Sequence, residues 1–272
     1  MQETSDVSYE WWRETAPKCV VQFSSGISSW AAGKRYVEQH GLNGVVLLFA
    51  DTLIEDGDNY RFLREAADNI GAPLVVVKDG RTPWDVMRDR KIIGNSRIDP
   101  CSAVLKRELL ARWRDKYCEP GFTAQVFGIG WDEQHRIERV QARTPDWECL
   151  APLCDKPWMS KAQTLDWARS EGLEPPRMYR MGFPHANCGG FCIKAGQATF
   201  KLLLQHFPDR YAEHEEQERQ MRELVGDHSV MRDRSGDGKS KVLTMEEFRK
   251  RVEADETNYE LDFGGCACAL DL

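Results

Sequence analysis

Between residues 19 and 129, short apolar runs alternate with segments of helical periodicity, and this alternation restricts the chain to one fold class. Cys19-Val20-Val21-Gln22-Phe23 has the length and composition of a strand, and Ser29 to His40 reads as a helix. Val45 to Ala50 is apolar at every position, as a strand buried on both faces must be. Asp58 to Ile70 places Tyr60, Phe62, Leu63, Ala66, Ala67 and Ile70 on one helical stripe. Leu74 to Val77 is a third strand, Ser102 to Tyr117 a helix, and Gln125 to Ile129 a fourth strand. This spacing predicts an α/β fold, a twisted and mostly parallel sheet flanked by helices, with ligands bound beyond the carboxyl ends of the strands. After about Trp147 the strands stop and prolines punctuate short helices, expected at Lys161 to Glu171, Lys194 to His206, Pro208 to Leu224 and Met245 to Ala254. Residues 1–146 are therefore expected to form a nucleotide-type α/β domain, and residues 147–272 a helical, cysteine-bearing C-terminal part.

Composition narrows the function classes. The 272 residues are 41% hydrophobic, enough to build a core. Val45 to Ala50 is the longest apolar run, far short of the ~20 residues that a membrane helix needs. The opening MQETSDVSYEWW lacks the basic-then-apolar pattern of a secretory signal, so a cytoplasmic protein without membrane contact is expected. A net charge of −7 argues against a purely electrostatic nucleic-acid binder, although a local basic groove is compatible with it. Nine cysteines, an odd number, favour metal, cluster or redox chemistry over a disulfide framework.

The first strand runs directly into Ser24-Ser25-Gly26-Ile27-Ser28-Ser29 and a helix. A Ser- and Gly-rich strand–turn–helix offers backbone N–H groups and hydroxyls at a helix N-terminus, which suits phosphate, though Ser and Gly also cap ordinary helices. The Gly-Lys-Ser/Thr ending of a Walker loop is absent. The second strand ends in Asp51-Thr52 and the fourth in Gly128-Ile129-Gly130, followed by Asp132-Glu133-Gln134-His135-Arg136. All of these are aimed at the same sheet edge, and Cys101 and Lys106 stand at the start of the preceding helix.

This order of motifs, SSGISS, ADT, CSAVLK, GIGWDEQHR and GFPHANCGGFC, resembles the phosphoadenosine phosphosulfate (PAPS) reductase family of PP-loop (HUP-like) adenine-nucleotide enzymes, over about Cys19 to Lys194. The blocks GFPHANCGGFCIKAGQ and GGCAC resemble an iron–sulfur-type branch of that family rather than its orthodox reductases. The resemblance implies that Ser24, Ser25, Gly26, Ser28 and Ser29 bind phosphate, with Asp51 and Thr52 near the adenosine. It makes Glu133 and Arg136 the acidic and basic pair after the later strand; Gly128 lies at that strand's end. The sequence departs from the pyrophosphatase loop SGGxDS by having Ser28 where that loop has Asp, which bears on magnesium-assisted ATP cleavage and leans toward the reductase version.

Cys188-x3-Cys192 lies in a Gly-rich turn, and Cys266-x-Cys268 lies in another at the end of the chain. Four or five such sulfurs brought together would bind an iron–sulfur cluster or zinc. Cluster-bearing adenylyl sulfate (APS) reductases place ligands at a Cys pair before the equivalent of Lys106 and at a later Cys-x-x-Cys. Here Cys101 stands for one of that first pair and the later spacing is three. The expected set is a 4Fe-4S cluster on Cys101, Cys188, Cys192 and Cys266 or Cys268, with the other terminal thiol, taken as Cys268, as nucleophile or sulfur carrier. Zinc, including a site using Cys149 and Cys154, and a metal-free thiol arrangement are the alternatives. Cys19 and Cys118 read as packing residues.

Two chemistries fit the resemblance, with Lys106, Glu133, Arg136 and Cys268 as the catalytic candidates. In the first, ATP adenylates an acceptor, pyrophosphate leaves and sulfur is transferred from a donor, with magnesium as a possible companion ion and a nucleic-acid acceptor open. In the second, a cysteine attacks the sulfur of PAPS or APS and a thiol reductant releases sulfite. A third reading is non-catalytic, a nucleotide sensor or a metal-stabilised subunit of a larger assembly; a homodimer is compatible with all three. The run His214 to Gln220 is expected to be a solvated helix face, Trp11-Trp12 a hydrophobic cover, and Arg232, Arg234, Lys239 and Lys241 a basic polar loop.

Overall fold

The computed structural model describes residues 1–233 and 240–257. Its six-stranded sheet consists of β1 (Gln2–Ser5), β2 (Cys19–Gln22), β3 (Val45–Asp51), β4 (Leu74–Lys78), β5 (Ala124–Val126) and β6 (Cys149–Leu150). The order is β1-β4-β3-β2-β5-β6, parallel throughout except for β1, which runs antiparallel along β4. This is the α/β architecture that the alternating pattern predicts.

β2 shows why both faces are apolar. Val21 and Cys19 join a core with Trp30, Ala31 and Phe62 from α1 (Ile27–His40) and α2 (Gly57–Ile70). Val20 points the other way, to Val46, Val75, Trp113 and Trp12. The two-residue period of a strand sends neighbours to opposite sides, so a sheet with helices on both faces admits almost no polar position. Trp12 is buried in that second core, so the N-terminal aromatic pair does cover the sheet.

Among the described residues four helices start on side-chain caps. They are α2 on Asp56, α3 (Pro83–Arg90) on a Thr82/Asp85 capping box and, further along the chain, the helices that begin at Lys161 and Met245, on Ser160/Gln163 and Thr244/Glu247 boxes. The helix expected from Ser102 is α4 (Pro100–Ser102), one π-helical turn (Ala103–Arg107) and α5 (Glu108–Tyr117). Such wide turns recur at functional sites, and this one carries Lys106. Then follow α6 (Gln134–Arg143), α7 (Lys161–Ser170), α8 (Arg177–Arg180), α9 (Gln197–His206), α10 (Pro208–Val225), the antiparallel pair β7 (Met231–Asp233) and β8 (Lys241–Leu243), and α11 (Met245–Glu253). α3, α9, α10, α11 and the 178–193 segment share a core around Phe191, Phe200, Tyr211 and Phe248. No helix among the described residues is long and apolar enough to cross a membrane.

Several sequence expectations need correction. Strands do not stop at Trp147, because β6 extends the sheet to Leu150 and β7 pairs with β8. The sheet therefore continues past residue 146, and β6 is too short to show any periodicity. The run from His214 is not uniformly solvated, since His214 and Glu218 are buried. Tyr211, His214, Glu218 and Met221 recur at helical spacing and form the inner stripe of α10. Glu218 accepts hydrogen bonds from Ser229 Oγ (2.7 Å) and from the Val230 and Met245 amides (3.0 and 2.7 Å). His214 Nδ1 accepts from Trp84 Nε1 at 2.9 Å.

Burial, aided by the Arg210 guanidinium, pushes the His214 imidazole from 6.5 down to about 3. Between these values the unfolded chain binds a proton that the folded chain refuses. This contribution to stability is complete above about pH 6.5 and is lost as the pH falls toward 3. His214→Asn keeps an acceptor for Trp84 and is expected to flatten the acid limb of a stability-versus-pH profile measured by urea denaturation. An unchanged slope would contradict the assignment.

Candidate active site

The polypeptide winds away from β2 in both directions, to β3 and β4 on one side and to β5 and β6 on the other. Such a switch point opens a crevice beyond the carboxyl ends of the two central strands. The Ser/Gly turn leaves β2 there. Ser25 is left-handed at φ 55°, Gly26 is the extended N-cap of α1, and Ser29 Oγ bonds back to Gly26 O at 2.8 Å and receives Ser24 N at 3.1 Å. From the neighbouring strand end, Gly128 lies against this turn. A Cβ on it would stand 2.7 Å from Ser29 N and 2.8 Å from Ser28 C, so only glycine permits the backbone-on-backbone approach.

Between these segments lies a cleft of about 580 Å³, a size suited to a small ligand. Ser24, Gly26, Ser28, Ser29, Gly128, Lys106, Glu133 and Arg136 all line it. Arg136 pairs with Glu133, and its buried Nη2 has no hydrogen-bond partner among the described residues. A buried guanidinium donor at a cleft wall is suited to an anion. The N-terminus of α1 adds its dipole, and Ile27 N donates to Tyr179 Oη at 3.2 Å. Lys161 and His185 border the same space.

Three predicted nucleotide residues lie elsewhere. Ser25 is buried and its Oγ has no hydrogen-bond partner among the described residues. Asp51 accepts from Leu53 N at 2.9 Å and from Tyr60 Oη at 2.7 Å, which holds its carboxylate toward α2. Thr52 donates to Glu55 at 3.2 Å and lines a second, much smaller pocket.

That second pocket, about 10 Å³, brings together Cys101, Cys188 and Cys192 with Thr52, Ser102 and Lys106. Lys106 Nζ donates to Cys188 Sγ at 3.7 Å, and the same residue lines the large cleft. Glu55, unnoticed in the sequence, accepts from Cys188 N at 2.6 Å and from Asn59 at 3.3 Å. Burial pushes the Glu55 carboxyl up and the Lys106 ammonium opposes the shift. Cys188 and Gly189 are both left-handed, at φ 53° and 56°. The turn is pinned from outside: Arg210 donates to Gly189 O (2.7 Å) and to the fully buried Asp56 (2.9 Å), which also takes Arg177 at 2.7 Å. Burial works against the Asp56 charge, yet the hydrogen bonds from Arg177 and Arg210 hold its carboxyl below the usual range. Phe191 stacks on His214 at 3.7 Å. A signal for this clamp did exist, because Asp56 stands two residues before the predicted helix, next to the N-cap position, and is the N-cap of the observed one.

Burial, aided by the neighbouring Cys188, pushes the Cys101 thiol up to about 12. Burial does the same to Cys19 and Cys118, which sit in the cores as expected. Cys149 and Cys154 pack around Phe127 and Ile129 instead of joining the thiol pocket. Cys266 and Cys268, like Arg234 and Lys239, lie outside the described residues. Three thiols around one pocket fit a soft metal or an iron–sulfur cluster by donor chemistry. Among the described residues, however, no group of three His, Cys, Asp or Glu side chains stands ready to hold an ion.

No family model and no curated protein matches the chain. Among solved structures it is similar to a phosphoadenylyl-sulfate (PAPS) reductase from Candida auris in its phosphate complex, at 16% identity and TM-score 0.45, over 64% of this chain and 82% of that one. It is also similar to NMN synthetase from Francisella tularensis, at 11% identity and TM-score 0.38, over 60% and 67% of the two chains.

Gly128→Ala is expected to push the strand end off the Ser/Gly turn, at roughly 1–3 kcal/mol of stability. Chemical denaturation should register that loss, together with weakened phosphate-ligand binding in calorimetry. Native stability in the variant would remove the close approach from the design of the site.

Proposed function

We propose that the chain is a PP-loop enzyme that binds an adenine nucleotide in the cleft and couples it to sulfur chemistry at the adjoining thiol pocket. One observation carries the reading: Lys106 borders both spaces, and its ammonium donates to a cysteine sulfur. The phosphates would rest on Ser24, Gly26, Ser28 and Ser29, where hydroxyls and the N-terminal dipole of α1 meet negative charge. An acceptor oxygen would attack the α-phosphorus and expel pyrophosphate. Arg136 and Lys106 would offset the charge that builds on the departing oxygens, while Glu133 orients Arg136. A sulfur donor at the hydrosulfide level would then displace AMP from the activated acceptor, with no net oxidation.

Ser28 favours a second reading. Without a carboxylate at that position, the loop also suits a nucleotide sulfate. A cysteine would attack the sulfur of PAPS or APS, release the nucleotide and form S-sulfocysteine, from which a thiol reductant liberates sulfite.

On either reading, Cys101, Cys188 and Cys192 would hold a 4Fe-4S cluster together with Cys266, leaving Cys268 as the sulfur-carrying nucleophile. When bound, such a cluster supplies electrons or a site for sulfide. The chain's own part is to keep the thiols dry, beside a cation that stabilises thiolate charge.

Calorimetry with ATP and with PAPS, alongside a pyrophosphate-release assay, separates the readings. Arg136→Ala is expected to weaken binding of the preferred nucleotide about tenfold or more, as removal of a charge-assisted hydrogen bond does. Absence of binding to both nucleotides would refute the proposal. Anaerobically prepared protein is expected to contain iron and sulfide and to absorb near ~400 nm, as thiolate-ligated clusters do. Cys188→Ala and Cys192→Ala should lose the iron while Cys19→Ala keeps it. Zinc without iron would overturn the cluster assignment.

A further inference from the structure

Two tryptophans at the rim of the cleft serve no purpose in the chemistry above. Trp131 and Trp158 stack with ring centroids 5.5 Å apart and planes 23° from parallel, yet they are 45% and 52% exposed. Trp12, Trp30 and Trp113 are almost completely buried, so the exposed pair stands apart from the way this chain otherwise uses the residue. The pair is held in place. Trp158 Nε1 donates to Cys154 O at 3.1 Å, and the Cys154 thiol reaches Gly130 O at 3.4 Å, next to Trp131. Lys156 Nζ lies 5.1 Å from the Trp158 ring centroid, adding a cation–π contact. Trp131 itself lines the cleft with Gly128 and Arg136.

We infer that this indole pair seats a nucleobase at the mouth of the cleft. Two stacked, prepositioned rings offer a flat face at little entropic cost, and every base has a complementary π face. Lys156 lies over the Trp158 ring, and Asp132 and Lys161 line the same cleft as Trp131; a charged border of this kind suits a small planar ligand with polar edges better than an apolar protein surface. Phosphate-binding groups stand in the same cleft, so a base and its phosphates can be held together. The base comes either from the bound mononucleotide or from a polynucleotide acceptor. The inference rests on the reading of the cleft as a phosphate site.

Titration calorimetry of the native chain, Trp131→Ala and Trp158→Ala with ATP, inorganic tripolyphosphate and a short single-stranded oligonucleotide tests it. Each variant is expected to lose about tenfold in affinity for the base-containing ligand, a typical stacking contribution, while tripolyphosphate binding is unchanged. Trp131→Phe, which keeps a flat ring, should restore most of the loss. Loss with ATP identifies the mononucleotide's own base, and loss only with the oligonucleotide identifies an acceptor base. If both alanine variants bind all three ligands like the native chain, the inference falls while the phosphate reading stands. If the native chain binds none of the three, both fall.

Discussion

The arrangement depends on a buried ammonium. Lys106 is almost fully enclosed, and a lysine charge removed from water is tolerated only among compensating groups. Glu55 supplies the nearby negative charge, and Cys188 Sγ accepts from Nζ. Much of the neighbouring geometry serves this pairing. The π turn within the α4–α5 segment carries Lys106, and the left-handed Cys188 offers its amide to Glu55. Thr52 and Asn59 hold the remaining capacity of the carboxylate. A fold built only to bury apolar surface would place none of these groups here.

The same cation joins two compartments of different character. The cleft is large and is bordered by the Ser/Gly turn, whereas the thiol pocket is much smaller and is lined by three cysteines. The 184–192 segment contributes to both walls, and its position is set at a distance by Asp56, Arg177 and Arg210 and by the stack of Phe191 on His214. The clamp comes from α2, α8 and α10, so the helical half holds the turn that the sheet half uses. The two halves separated in the sequence reading are therefore mechanically one at the site.

What the sequence revealed follows from how local each signal is. Strands β2 to β4, α1 and α2 were evident because burial on two faces leaves unbroken apolar runs and a clear helical stripe. The Ser/Gly turn and the Glu133–Arg136 pair could be placed because they follow strands directly. The convergence of Cys101, Cys188 and Cys192 on one pocket came from motif order and not from any local rule. Glu55 was hidden because nothing in TLIEDGDN distinguishes a buried carboxylate from a loop one, and the place of Asp56 just ahead of a helix hints at a cap but not at an arginine clamp. His214 and Glu218 were misread because charged neighbours on the other faces of α10 masked a stripe spaced by three and four residues. Asp51 sits at the expected strand end, but its hydrogen bonds to Leu53 and Tyr60 turn it from the cleft, a choice made by tertiary contacts.

The two margins of the sheet are finished differently from its centre. On one side β1, with the sequence QETS, alternates exposed and half-buried residues along its antiparallel pairing with β4. On the other, β6 ends after two residues. A short or polar border offers an incoming strand few backbone partners and no greasy surface to dock on. The parallel interior, the stickiest part of the molecule, is thus fenced from strand addition, and crowding at high concentration should not zip one copy's sheet onto another's.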